Sequence, residues 1–218
     1  MNPYLRHSAN WLAIWLSLVA LATACTPATP EPPPGVGDVL FSDDFTTTSP
    51  NWALFDTPEG AAYIQQERLY LEDRGPEKSI STSLLDQQWS DLLIRTHLQQ
   101  AAGTQNNWMG VTCRQADENN YYLFAISADG YYLLLKVVEG ETTQLAGPET
   151  STALNPDRGV NLLEASCVET TLTLSVNQQE LVSLNDEQFR TGGIALFADS
   201  VTRETTSVAF DDFVITAP

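Results

Sequence analysis

The chain has 218 residues, with 28 Asp and Glu against 10 Lys and Arg, a formal net charge of -18 and a pI near 4.1. That length suits one moderately large domain. A hydrophobic content of 43% is enough to bury a core, which excludes a wholly disordered chain. The acidity excludes a nucleic-acid backbone as partner, and two Lys in the whole chain leave no polybasic membrane patch.

Residues 1–24 read as an address and not as part of a fold. Arg6 and His7 precede an apolar run, Trp11 to Ala24, of 14 residues, too short to span a bilayer and of the length of a secretory signal. Ala22, Thr23 and Ala24 then lead into Cys25. This resembles the lipobox of bacterial lipoproteins, in which the Cys is acylated and becomes the new N-terminus. The Leu usual three residues before that Cys is here Leu21, four before it, so plain cleavage after Ala24 stands as the alternative. Either route exports the chain to the cell envelope or beyond it, and the only membrane contact expected is through the lipid on Cys25. Loss of residues 1–24 removes one Arg and no acid, so the mature charge is -18 - 1 = -19. Residues 25–37, from the lipidated Cys through Thr26-Pro-Ala-Thr-Pro-Glu-Pro-Pro-Pro-Gly-Val-Gly37, form a Pro-rich tether that favours extended polyproline geometry. A folded domain is expected over 38–218.

From Asp38 onward the pattern is β. Runs rich in Val, Ile, Leu, Tyr, Phe and Thr recur roughly every 8–14 residues between turn signals. They cover 61–66, 68–72, 92–99, 108–114, 121–127, 131–138, 160–168, 171–176, 180–184, 193–197 and 208–215. Asp129-Gly130 between two Tyr-rich runs marks a hairpin, because Gly takes positive φ without cost; Glu139-Gly140 and Asn177-Gln-Gln179 mark further turns. No helical pattern exceeds about two turns, so the fold is a β-sandwich or barrel.

With Cys25 lipidated, Cys113 and Cys167 remain as an even pair in an oxidising compartment. A bridge between them closes roughly 54 residues and stabilises by about 4 kcal/mol from loop-closure entropy; the alternative is two buried free thiols. No Cys-x-x-Cys or His cluster accompanies them to suggest a metal centre.

Several segments also carry a resemblance. Gly110-Val-Thr-Cys-Arg114, Asn119-Asn-Tyr-Tyr-Leu-Phe-Ala-Ile-Ser-Ala-Asp-Gly130 and Tyr132-Leu-Leu-Leu-Lys136 resemble a concanavalin A-like lectin/glucanase domain. So do Asn161 to Val168, Leu172 to Asn177, Asp186 to Leu196 and Phe210-Asp-Asp-Phe-Val214. The wording is nearest to the branch with laminin G-like modules and 3-keto-disaccharide hydrolase-type domains. The resemblance covers about residues 38–216 and implies an all-β jelly roll of two antiparallel sheets, one often curved around a glycan.

Strand alternation then sorts side chains by face, taking charges to point away from the core. In 92–99, Arg95 and His97 point out and Ile94 and Leu98 in; in 108–114, Arg114 places Trp108, Gly110 and Thr112 outward and Cys113 inward. Lys136 places Tyr132 and Leu134 on its own outward face, and Glu164 exposes Ser166 while burying Ala165 and Cys167, so both cysteines face inward. Tyr121 is assigned outward, with Phe124 and Ile126 inward. The expected glycan face therefore carries Arg95, His97, Trp108, Arg114, Tyr121, Tyr132, Lys136 and Glu164, aromatic rings for sugar stacking beside groups that hydrogen-bond hydroxyls. The same pattern also suits a solvated sheet face with Trp108 under a loop.

Asp117-Glu118-Asn119-Asn120 is an oxygen-rich loop for Ca²⁺ or sugar hydroxyls, without the ligand spacing of an EF-hand. Asp43-Asp44 and Asp211-Asp212 precede Phe45 and Phe213 at related strand ends; the resemblance puts the terminal strands in one sheet, where four carboxylates would meet at Ca²⁺ or stand apart in solvent. Trp52 and Trp89 read as core or loop-covering aromatics. For catalysis, Glu164 is the only acid placed in the expected groove, whereas glycosidases need two. The Glu-x-Asp-x-x-Glu strand motif of family 16 glucanases is absent, and so is a Gly-x-Ser-x-Gly elbow. The expected role is noncatalytic glycan recognition, with a sugar-derivative hydrolase and a structural or protein-interaction module as the alternatives and no cofactor beyond Ca²⁺ in view.

Overall fold

The structure, a computed structural model, describes residues 34–47, 50–75 and 79–218. The signal, Cys25 and most of the tether lie outside the described residues. The described strands are β1 (Val39–Asp43), β2 (Phe55–Asp56), β3 (Gly60–Gln65), β4 (Arg68–Asp73), β5 (Ile80–Ser83), β6 (Leu92–Ala102), β7 (Trp108–Asp117) and β8 (Asn120–Ser127). They continue as β9 (Tyr131–Val138), β10 (Glu141–Thr150), β11 (Asn161–Val168), β12 (Thr171–Val176), β13 (Gln179–Asn185), β14 (Gly193–Asp199) and β15 (Thr206–Thr216).

They form two antiparallel sheets. The nine-stranded sheet runs β13-β12-β11-β6-β15-β4-β3-β2, with β1 on the C-terminal half of β15; the six-stranded sheet runs β10-β9-β8-β7-β14-β5. The all-β sandwich expected from the sequence is what forms. Sequence-local turns make the hairpins. Gly130 at φ 93° closes β8–β9, and paired positive-φ residues Glu139-Gly140 and Asn177-Gln178 close β9–β10 and β12–β13.

Strict alternation puts Ile94 and Leu98 of β6, Val111 and Cys113 of β7, Phe124 and Ile126 of β8, Leu163, Ala165 and Cys167 of β11, and Leu172 and Leu174 of β12 into one core between the sheets. Trp52 lies in the same core, 2% exposed, edge-on to Phe213 at 5.0 Å, and Trp89 packs against its margin. Cys113 and Cys167 are disulfide-bonded, tying β7 of one sheet to β11 of the other. Both were expected inward, from alternation with Arg114 and Glu164 taken as outward markers, although Arg114 itself is buried.

The sequence marked β1 only by its end at Asp43-Asp44, and three described strands escaped it: β2, β5 and β10. The last is Glu-Thr-Thr-Gln-Leu-Ala-Gly-Pro-Glu-Thr, mostly polar and interrupted by Gly147-Pro148. It sits at a sheet edge, where a missing N–H and two register shifts against β9 are tolerated. Edge strands bury little, so they leave no hydrophobic period to read.

Candidate functional site

The eight residues expected on one face are spread over three places. Arg95, His97 and Glu164 do point outward, but from the nine-stranded sheet, where Arg95 pairs with Glu164 at 3.1 Å and His97 with Asp212 at 3.1 Å. Trp108 and Tyr121 point outward from the six-stranded sheet. Arg114, Tyr132 and Lys136 are on neither face.

Arg114 departs because β7 bulges. The register against β8 slips between Cys113 and Asp117, and Arg114 itself takes φ 49°. The side chain is 1% exposed and donates to the Ser90 carbonyl (2.9 Å), the Phe189 carbonyl (3.0 Å) and the Asp91 carboxylate (3.1 Å). Tyr132 is 7% exposed in the inter-sheet core, its hydroxyl donating to Glu149 at 3.0 Å. Lys136 shares that inner face and reaches out of the sandwich end to Asp186 at 2.6 Å. The alternation in β9 was right and its sense inverted: nearly every residue of Tyr-Tyr-Leu-Leu-Leu-Lys-Val-Val is apolar, and a long Lys stem can leave a buried face by its end.

The outward face of the six-stranded sheet is unusual for its apolarity. Leu123, Ala125, Leu133 and Phe197 are nearly buried there, at 3%, 0%, 6% and 6% exposure, with Trp108, Tyr121 and Leu135 packed against them. Beside this floor lies a groove of about 630 Å³. Tyr121 and Phe197 belong to both. It is lined by Phe55, Thr57 and Glu59, by Gln115, Glu118 and Asn119, and by Ser79, Ile80, Ser81 and Thr112. Trp108 stands at the other end of the apolar floor, four residues from Thr112 along β7 or about 13 Å at the usual strand rise.

Gly110, between them on that face, is required: a Cβ there would lie 1.9 Å from the Phe124 carbonyl oxygen. The bulge that buries Arg114 also delivers Gln115 to the groove, where Thr112 Oγ1 donates to its Oε1 at 2.9 Å and accepts the Ala195 N–H at 2.8 Å. Asp199, paired with Trp108 across β14–β7, shares the face of Phe197. Burial pushes its carboxyl up, and the charge of Asp73 adds to this. Burial likewise raises the Tyr121 hydroxyl, with Asp199 contributing.

The oxygen-rich turn is partly spent on itself. Asp117 Oδ1 accepts the Asn119 N–H (2.7 Å) and an Asn120 amide N–H (2.9 Å), which holds its carboxyl below the usual range; its neighbours Glu118 and Asn119 line the groove. The terminal strands do pair, Asp43 opposite Phe213, and Asp43, Asp44 and Asp212 line one hollow there, each with a partner of its own. Asp43 accepts from Phe45 and Trp52, Asp211 faces Arg68, and Asp212 faces His97. Among the described residues no three His, Cys, Asp or Glu side chains gather as a metal site.

Phe55, Glu59, Thr112, Gln115, Phe197 and Asp199 were missed as site residues. They come from three strands and a turn with no shared motif, so no local signal marks them together.

No protein-family model matches the chain, and no curated protein matches it. Solved structures do. A carbohydrate binding module, CBM66, from Bacillus subtilis superposes with TM-score 0.64 at 14% identity, over 77% of this chain and 96% of that one. A protein of unknown function with a galectin-like fold, also from Bacillus subtilis, gives 0.60 at 12% identity, over 84% and 97%. A xylan β-1,4-xylosidase from Bacillus halodurans C-125 gives 0.58 at 15% identity, over 87% of this chain but 41% of the enzyme's length. At these identities the likeness concerns the fold, and the described domain has the concanavalin A-like fold of lectins and glucanases.

Proposed function

We propose that the protein is an exported, lipid-tethered, noncatalytic glycan-binding module of the cell surface, and that the sugar chain lies along the outward face of the six-stranded sheet. The observation that carries this reading is the pairing of an aromatic, apolar floor with a groove walled by hydroxyl, amide and carboxylate groups. Ring faces of Trp108 and Tyr121 take the apolar faces of sugars, and Thr57, Ser81, Thr112, Gln115, Glu118 and Asn119 supply donors and acceptors for hydroxyls. The likeness to a carbohydrate binding module supports it, as does the inter-sheet disulfide, which suits an oxidising compartment. Arg95, His97 and Glu164 stay outside this site, on the other sheet, Arg95 paired with Glu164 and His97 against Asp212.

A hydrolase of sugar derivatives is the second reading, favoured by one observation: Glu59 and Glu118 both line a single groove. Glycan-array screening of the mature chain, with and without Ca²⁺, tests the first reading, and reducing-sugar release from any glycan that binds tests the second. Reproducible binding without turnover supports the module; turnover abolished by Glu59→Gln or Glu118→Gln supports the enzyme. Absence of binding to every glycan removes both and leaves a structural or protein-interaction role.

A further inference from the structure

The outward face of the nine-stranded sheet carries a second set of aromatic and hydrogen-bonding groups. Pairing across β3, β4, β15 and β6 sets Tyr63, Tyr70, Ala209 and Gln99 in one transverse row. Gln65 and Arg68 pair in the next row, and Asp211 pairs with His97 there. Four strands at the usual spacing make such a row about 14 Å long. Ala62, Leu69, Leu98, Val208 and Phe210 enter the core, so alternation turns both rows outward.

Tyr63 and Tyr70 are stacked, with centroids 5.4 Å apart and planes 10° from parallel. Tyr63 covers one face of the Tyr70 ring, and the other turns toward β15, where Ala209 is too small to fill the space. A hollow of about 110 Å³ opens there, lined by Ala209, Arg68, His97, Gln99, Asp211 and Asp212.

A bulge in β15 supplies two of these groups. Phe210 and Phe213 both enter the core, and the register against β6 shifts between Asp211 and Val214, so one extra residue lets both acids point outward. Asp212 takes φ 48°, which Asp tolerates better than most residues. Thr96 Oγ1 holds the bulge by donating to the Asp211 carbonyl at 2.9 Å. Asp211 meets Arg68 Nε at 3.4 Å, and Asp212 meets His97 Nδ1 at 3.1 Å. Each contact engages one nitrogen, which leaves the Arg68 terminal nitrogens and His97 Nε2 for a ligand. A ring face beside carboxylate, guanidinium, imidazole and amide groups suits a sugar, whose ring stacks while its hydroxyls donate and accept.

We infer that this hollow is a second, weaker sugar-binding site, and that the protein bridges two glycan chains. It is weaker because the hollow is a fraction of the 630 Å³ groove on the other sheet. The two faces belong to sheets packed about 10 Å apart and point in opposite directions, so one straight chain does not fill both sites. The inference rests on the proposed glycan-binding role and adds its valency.

The test mixes the full mature chain, carrying Cys25→Ser, with soluble xylan, levan and hydroxyethyl cellulose and follows light scattering. Short oligosaccharides of the same sugars are titrated by calorimetry. The wild type should show two sites per chain, and scattering from a bound polymer should rise and then fall as protein passes from deficit to excess. Tyr70→Ala with His97→Ala should abolish the rise and leave one site, its affinity kept within about twofold. Arg68→Ala alone, a milder change, should weaken the second site at least about tenfold. Trp108→Ala should weaken the first site and spare the second. Arg95→Ala, one row further along β6 and paired with Glu164, should change neither. One site per chain in the wild type, or a scattering rise that survives Tyr70→Ala with His97→Ala, would overturn the bridging while keeping the glycan-binding role. Binding untouched by Trp108→Ala and lost in the double variant would also overturn it, moving a single site to this face. Failure to bind any of the three polymers or their oligosaccharides would overturn both readings.

Discussion

Lys136 and Asp186 form an ion pair at 2.6 Å between β9 and the loop after β13, with side chains only 19% and 12% exposed. Asp186 also accepts the Tyr122 hydroxyl at 2.6 Å and the Gln188 N–H at 2.9 Å, and the Tyr122 oxygen in turn accepts the Phe189 N–H at 3.1 Å. Arg114 takes the Phe189 carbonyl from the other side. Two side chains that the sequence offered as sugar ligands therefore pin one loop at the end of the sandwich.

Lys136→Met should destabilise by about 3 kcal/mol in urea unfolding, because it leaves Asp186 charged, largely buried and short of its cation. Burial alone would raise the Asp186 carboxyl, but the bonds from Lys136, Tyr122 and Gln188 outweigh it and hold it below the ordinary range. A depressed carboxyl stabilises above its unfolded pKa and loses that contribution as pH falls through the folded one. The wild type should therefore lose stability below about pH 4, and the variant should show a shallower loss there. Parallel curves would discard the account.

Arg114→Lys should cost about 2–4 kcal/mol despite conserving charge, since one ammonium cannot replace a planar fork that reaches two carbonyls and a carboxylate. Chemical denaturation measures it. Glycan binding by the folded fraction should be unchanged.

Replacing both Cys113 and Cys167 by Ala should lower stability by about 4 kcal/mol, the loop-closure value for 54 residues. Dithiothreitol should shift the wild-type denaturation midpoint in the same direction and leave the double variant unmoved.

Trp108→Ala and Tyr121→Ala should each weaken glycan binding at least tenfold, while costing about 1 kcal/mol of stability because both side chains are partly exposed. Tyr132→Ala should do the reverse, losing about 3–5 kcal/mol from the core. Calorimetric titration and melting of the three variants side by side would separate the faces. A binding defect confined to Tyr132→Ala would refute the placement of the site.

The sequence by itself determined the all-β class, the hairpins at Gly130, Gly140 and Asn177, and the alternation that puts neighbouring side chains of a strand on opposite faces. Each follows from a period of two or from the backbone freedom of one residue, and both are local. Only the tertiary structure decided which sheet each strand joins, and that separated Arg95, His97 and Glu164 from Trp108 and Tyr121. It also decided the sense of alternation in β9, where both faces are apolar and a charge no longer identifies solvent, and the fate of Arg114, where one extra residue in a bulge turns a side chain from surface to interior. The groove belongs to this second group. Its walls come from the turn before β3, from β5, from the β7–β8 turn and from β14, and sequence neighbours cannot show that such distant segments converge.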